Sequence, residues 1–169
     1  MKILALFMFI FLMNILCYSQ SNDLLNRNAF TLKLAVDGSN FYQAEIKESP
    51  YLLPENTIKI YPGETLFVEI ELLKKNIKGM KIVKENLNPE KTLIIKFYQE
   101  TNGKKHEMMM LYIKNPFKRE LVYSAYMCLM KNSKWVPTSV IPIKPELRSF
   151  ETWPDIILTL ALSGWEFKD

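Results

Sequence analysis

The sequence predicts an all-β fold, an antiparallel β-sandwich of about seven to eight strands with an immunoglobulin-like architecture. Three observations predict it: apolar residues alternate at period two in short runs, turn residues separate the runs, and the turn signals are fairly evenly spaced. A period of two puts every second side chain on one face of an extended strand, so each run can bury one face and wet the other.

The N-terminus stands apart. Lys2 precedes Ile3 to Leu16, a run that is apolar except for Asn14. This is a charged n-region followed by an apolar h-region, too short for the roughly 20 residues that a bilayer crossing needs. Cys17 and Ser19 are small residues where a signal peptidase reads, so a cleavable signal peptide is expected over residues 1–19 and one domain over 20–169. Lipidation of Cys17 is the alternative, weakened by Leu16 where the lipidating peptidase takes a small residue. The protein is therefore expected to be exported, periplasmic or extracellular, with no stable membrane span after cleavage.

Phe30, Leu32, Leu34 and Val36 share one face of a first strand, which Asp37-Gly38-Ser39-Asn40 ends. Ile58 and Ile60 mark a short strand closed by Tyr61-Pro62-Gly63-Glu64, where Pro62 and Gly63 suit the centre of a type II turn. Leu66, Val68, Ile70 and Leu72 line the next strand, with Glu69 and Glu71 turned to water. Ile77, Met80, Val83 and Leu87 then recur at helical spacing, predicting a short amphipathic helix in the 74–88 crossover. Its polar side would carry Lys74, Lys75, Lys78, Lys81 and Lys84, a strip suited to anionic lipid, acidic glycan or nucleic acid. A solvated face is the simpler account, and the scarcity of aromatics for base stacking argues against nucleic acid.

Leu93, Ile95 and Phe97 begin a strand that Thr101-Asn102-Gly103-Lys104 turns back into Glu107 to Ile113, so these two should pair directly. Leu121 to Met130 is apolar on both faces and reads as a central strand. After the Lys131-Asn132-Ser133-Lys134 turn, Pro137 and Pro142 remove ladder donors and push Trp135 to Ile143 to a sheet edge. Ile156, Leu158, Leu160 and Leu162 form the last strand, with a bulge expected at Gly164-Trp165.

Composition narrows the function classes. The formal charge of +4, falling to +3 without Lys2, is too mild to name a partner. Cys128 is the one cysteine left after cleavage, so no internal disulfide can form, and about 150 residues must hold together by burial. In its apolar strand Cys128 is expected to be buried and inert.

His106 is the single histidine and sits beside a hairpin turn, which leaves no ready Ser-His-Asp or Cys-His arrangement. The five glycines are scattered, so no phosphate-cradling loop can be assembled. No enzyme activity and no cofactor are expected. Two constellations nonetheless carry chemistry. On a regular strand His106, Met108 and Met110 would point to one side, and an imidazole with two thioethers suits Cu(I), although methionine is also a common core filler. Glu151 and Asp155 flank Trp153-Pro154, where an aromatic and two carboxylates could recognise a glycan; a buried Trp153 is the simpler alternative. The stretch from Asn115-Pro116 through Thr138-Ser139-Val140-Ile141-Pro142 to Glu151-Thr152-Trp153-Pro154 resembles small exported bacterial proteins of no assigned activity. The expected function is a non-enzymatic binding module whose partner is another envelope or secreted protein, met through an edge strand or an apolar patch.

Overall fold

The computed structural model describes residues 25–168, so the expected signal peptide lies outside the described residues. From the N-terminal side, β1 (Asn26–Arg27) pairs with β4 (Ser49–Pro50) and brackets a hairpin of β2 (Phe30–Ala35) and β3 (Phe41–Ile46). Next come β5 (Leu52–Leu53), a 3-10 turn over Pro54–Asn56, and β6 (Thr57–Ile60). The chain continues through β7 (Glu64–Leu73), β8 (Asn76–Val83), β9 (Thr92–Asn102) and β10 (Lys105–Lys114). It ends with β11 (Glu120–Leu129), β12 (Trp135–Thr138), β13 (Arg148–Trp153) and β14 (Ile157–Lys168).

Ten of these strands form two antiparallel sheets: sheet I in the order β13-β10-β9-β7-β8 and sheet II in the order β12-β11-β14-β6-β5. Their inner faces meet in one apolar core, where Ile58, Val68, Phe97, Leu111, Leu121 and Leu160 are fully buried. This is the expected β-sandwich. It has more strands than the expected seven or eight, because β3, β8 and β13 carry polar or irregular sequences that alternation alone does not mark.

Several turns form as their chemistry dictates. Gly63 adopts φ 94°, and Glu64 N donates to Tyr61 O across the turn. Gly103, at φ 62°, lets β9 return directly as β10. Asp37 accepts bonds from the Ser39 and Asn40 amides and the Asn40 side chain; the Asn40 side-chain bond leads in holding its carboxyl below the usual range. β12 is an edge strand, as its prolines require. The bulge near Gly164 is also present, since the β11–β14 register shifts between Val122 and Ser124.

Two expectations are corrected. The 74–88 segment is not a helix: it holds β8, which pairs with β7 through a bulge between Glu71 and Leu72. Gly79 opposes Glu71 and Ile77 opposes Leu72, so Lys78 is the inserted residue. The insertion lets Ile77 and Met80, three apart, pack on the same core, and this imitates helical spacing. The central strand of sheet II is β14 rather than β11. Ile157 to Leu160 are all buried, whereas β11 lies one place from the edge and exposes Ser124 and Tyr126.

The outer faces of the two sheets differ. The β2–β3 hairpin lies against the outer face of sheet II, where Leu32 and Leu34 pack on Tyr61 and Leu158 in a second apolar cluster. A bulge in β14 makes this possible: Cys128 opposes Thr159 and Leu129 opposes Ile157, so Leu158 is the extra residue and turns outward. Among the described residues, only the 84–91 crossover reaches the outer face of sheet I, where Asn88 Nδ2 donates to Glu69 Oε1 over β7.

Candidate functional site

The residues expected to hold copper are not brought together. The β9–β10 register places Met108 opposite Glu100 and His106 opposite Thr101, with Glu107 bulged between them. Glu100 and Thr101 are adjacent in a strand and point to opposite faces, so His106 is turned away from the face that Met108 and Met110 share. Both of its ring nitrogens are engaged: Nδ1 accepts from Gln99 Nε2 and Nε2 donates to Pro154 O, each at 2.9 Å. In this network Nδ1 is the acceptor and Nε2 the donor.

The junction around His106 is structural. Gln99 Oε1 accepts from Ala35 N at 2.8 Å while its Nε2 donates to Ala35 O at 2.9 Å, so one side chain pairs with a residue's backbone as a neighbouring strand would. Together, Gln99 and His106 fasten the end of β2 and the turn after β13 to the rim of sheet I.

The glycan site is likewise not assembled. Trp153 is buried in the core, opposite Met109, and its Nε1 donates to Thr138 Oγ1 at 2.9 Å, so its ring is not presented to a sugar. Glu151 accepts from the Ile141 amide at 2.7 Å, whereas Asp155 lies on the turn beyond and pairs with Lys131 at 3.3 Å. The Tyr123 phenol is raised well above its ordinary range, first by burial and then by the Glu151 charge. Among the described residues, no three His, Cys, Asp or Glu side chains form a group able to hold a metal ion.

A residue without a sequence signal organises the N-terminal side. Arg27 is 2% exposed; its Nε bonds Glu64 Oε1 at 2.5 Å, its Nη2 bonds Glu64 Oε2 and Lys59 O, and its Nη1 bonds Ser49 Oγ. The Tyr51 and Tyr61 rings lie 4.4 and 4.8 Å from its guanidinium carbon. A cleft of about 630 Å³ opens beside it, lined by β1, the start of β2, Tyr51 and the Pro62–Glu64 turn. The buried Arg27–Glu64 pair in its wall is committed to the fold.

No protein-family model, curated protein or solved structure matches this chain. The site must be found from geometry, and the geometry favours the outer face of sheet I. In the β13-β10-β9 ladder, Tyr112 lies between Phe150 and Lys96, and Met110 lies between Thr152 and Tyr98. Phe150 is 53% exposed and meets Tyr112 edge to face at 5.2 Å, while Lys96 Nζ sits 5.7 Å from the Tyr112 ring centre. Met108, Met110, Tyr98 and Tyr112 are half-buried by their neighbours, yet belong to neither apolar cluster.

The next row places Lys114 directly opposite Arg148. Like charges facing each other across a ladder are destabilising. Among the described residues neither has an acidic partner, and neither does Lys96. The predicted pairing of β9 with β10 brings Met110 and Tyr112 beside β9, but it is the bulge at Glu107 that sets Tyr98 and Lys96 opposite them. Phe150 and Arg148 were hidden because their strand was not recognised.

Proposed function

We propose that this chain is an exported, non-enzymatic binding module that recognises an acidic region of another envelope or secreted protein through the outer face of sheet I. The carrying observation is the unpaired Lys114–Arg148 couple beside the uncovered Phe150, Tyr112, Tyr98 and Met110. A fold selected for stability alone gains nothing from opposing two cations on a partly apolar face. A partner carboxylate would relieve the repulsion, and Tyr, Phe, Met and Arg are residue types enriched in interface cores.

Arg148→Glu tests this by separating stability from binding. It puts an acid opposite Lys114, so the domain should become more stable by about 0.2–1 kcal/mol in urea unfolding. Cross-linked capture of the partner from envelope extract should fall by at least about tenfold, with a comparable fall for Phe150→Ser. Undiminished capture by both variants would place the binding surface elsewhere.

A further inference from the structure

We propose that the tip of the β7–β8 hairpin docks on an anionic phospholipid bilayer. The last β9 partner of β7 is Thr92, opposite Glu69, so the strand continues through Leu73 with β8 as its ladder partner and the hairpin projects past the body of sheet I. Leu72 and Leu73 in this projection are 44% and 61% exposed. Lys74 and Lys75 close the turn between Leu73 and its partner Asn76. Lys74 has φ 57°, a conformation in which glycine or asparagine would be less strained.

The surrounding charge is positive. Lys118 is exposed on the neighbouring turn, which Arg119 fastens to the tip by donating from Nη1 to Lys75 O. Glu71 at the base of the projection is neutralised by Lys78 at 2.7 Å. Among the described residues Lys74, Lys75 and Lys118 have no acidic partner.

The two leucines decide between a bilayer and an acidic macromolecule. Consecutive residues in a strand point to opposite faces, so one flat partner surface cannot cover both Leu72 and Leu73. A bilayer interface surrounds an inserted tip on all sides, burying both leucines while the lysines remain at headgroup depth. Cations at that depth are attracted to anionic lipid, and the contact is peripheral and reversible.

The test is flotation of the protein, in one processed form throughout, with phosphatidylcholine vesicles and with vesicles that also contain phosphatidylglycerol. Binding is expected to the anionic vesicles and to be about tenfold weaker to the neutral ones. Lys74→Glu with Lys75→Glu, and separately Leu72→Ser with Leu73→Ser, should each weaken it by about tenfold or more with unchanged circular dichroism. A Leu73→Trp variant should shift its emission to the blue on anionic vesicles. Equal binding to both vesicle types, undiminished binding by the double serine variant, or no emission shift would each overturn the proposal; the second would indicate a general polyanion site.

Discussion

The two sheets have similar inner faces and opposite outer ones. Sheet II is overlaid at Leu158, Tyr61 and Cys128 by the β2–β3 hairpin, which contributes Leu32 and Leu34 to a second core. Sheet I presents a partly apolar patch, Tyr98, Met110, Tyr112 and Phe150, but no hairpin lies over it among the described residues. The difference teaches that apolar content alone does not make a core. The same residue types stabilise where another element covers them, and remain available for association where none does.

The most severe break is expected at Arg27, which anchors the strand leading into the covering hairpin. Arg27→Met should destabilise the protein by about 3–5 kcal/mol in urea unfolding, because it strands the Glu64 carboxylate in a largely buried place. Arg27→Met with Glu64→Leu should recover much of that loss, since the buried charge goes with its partner. If the single variant were nearly as stable as the parent, the guanidinium would not be the anchor that its contacts indicate.

Matched truncations on the two outer faces test the comparison directly. Leu34→Ala, under the hairpin, should lower stability by about 2–4 kcal/mol, whereas Phe150→Ala should change it by less than about 1 kcal/mol. Equal losses measured by chemical denaturation would mean that the outer face of sheet I is also core.

Gln99 offers a finer break, since it ties the hairpin to sheet I without adding apolar contact. Gln99→Leu removes both bonds to the Ala35 backbone and the bond to His106, and should cost about 1–3 kcal/mol. Amide exchange at Ala35 should accelerate more than at Leu111 in the central core. Uniform acceleration would show that the hairpin opens only with the whole domain.

The legible part of this fold is the part that obeys period two. β2, β7 and β9 follow from alternation, the β9–β10 pairing from Asn102-Gly103, and the edge position of β12 from its prolines. The misread places are bulges. Lys78 made β8 look helical, and Glu107 turned His106 away from Met108 and Met110, which a regular strand would have aligned. An inserted residue leaves composition unchanged and reverses every face assignment beyond it, so counting cannot detect it without the partner strand. Arg27 was hidden for a different reason: Ser49, Lys59 and Glu64 come together around it only after β1, β4 and β6 are placed.

The smallest effect lies at Cys128, which packs beneath the hairpin beside the second cluster. Burial raises its thiol above the ordinary range, opposed in part by the Lys59 charge. A raised value leaves less thiolate at a given pH, so alkylation should be slower than in the unfolded chain, and the native rate should keep climbing with pH after the unfolded rate has levelled off. Titration and cover are then separable. If slow reaction reflects the raised value alone, native and unfolded rates converge at a pH where both thiols are ionised. If the hairpin blocks access, a gap persists there, and Gln99→Leu should narrow it by loosening the fastening at Ala35. Convergence in the parent protein would mean that the hairpin does not limit the reagent's access to Cys128 and that the raised value accounts for the slow reaction.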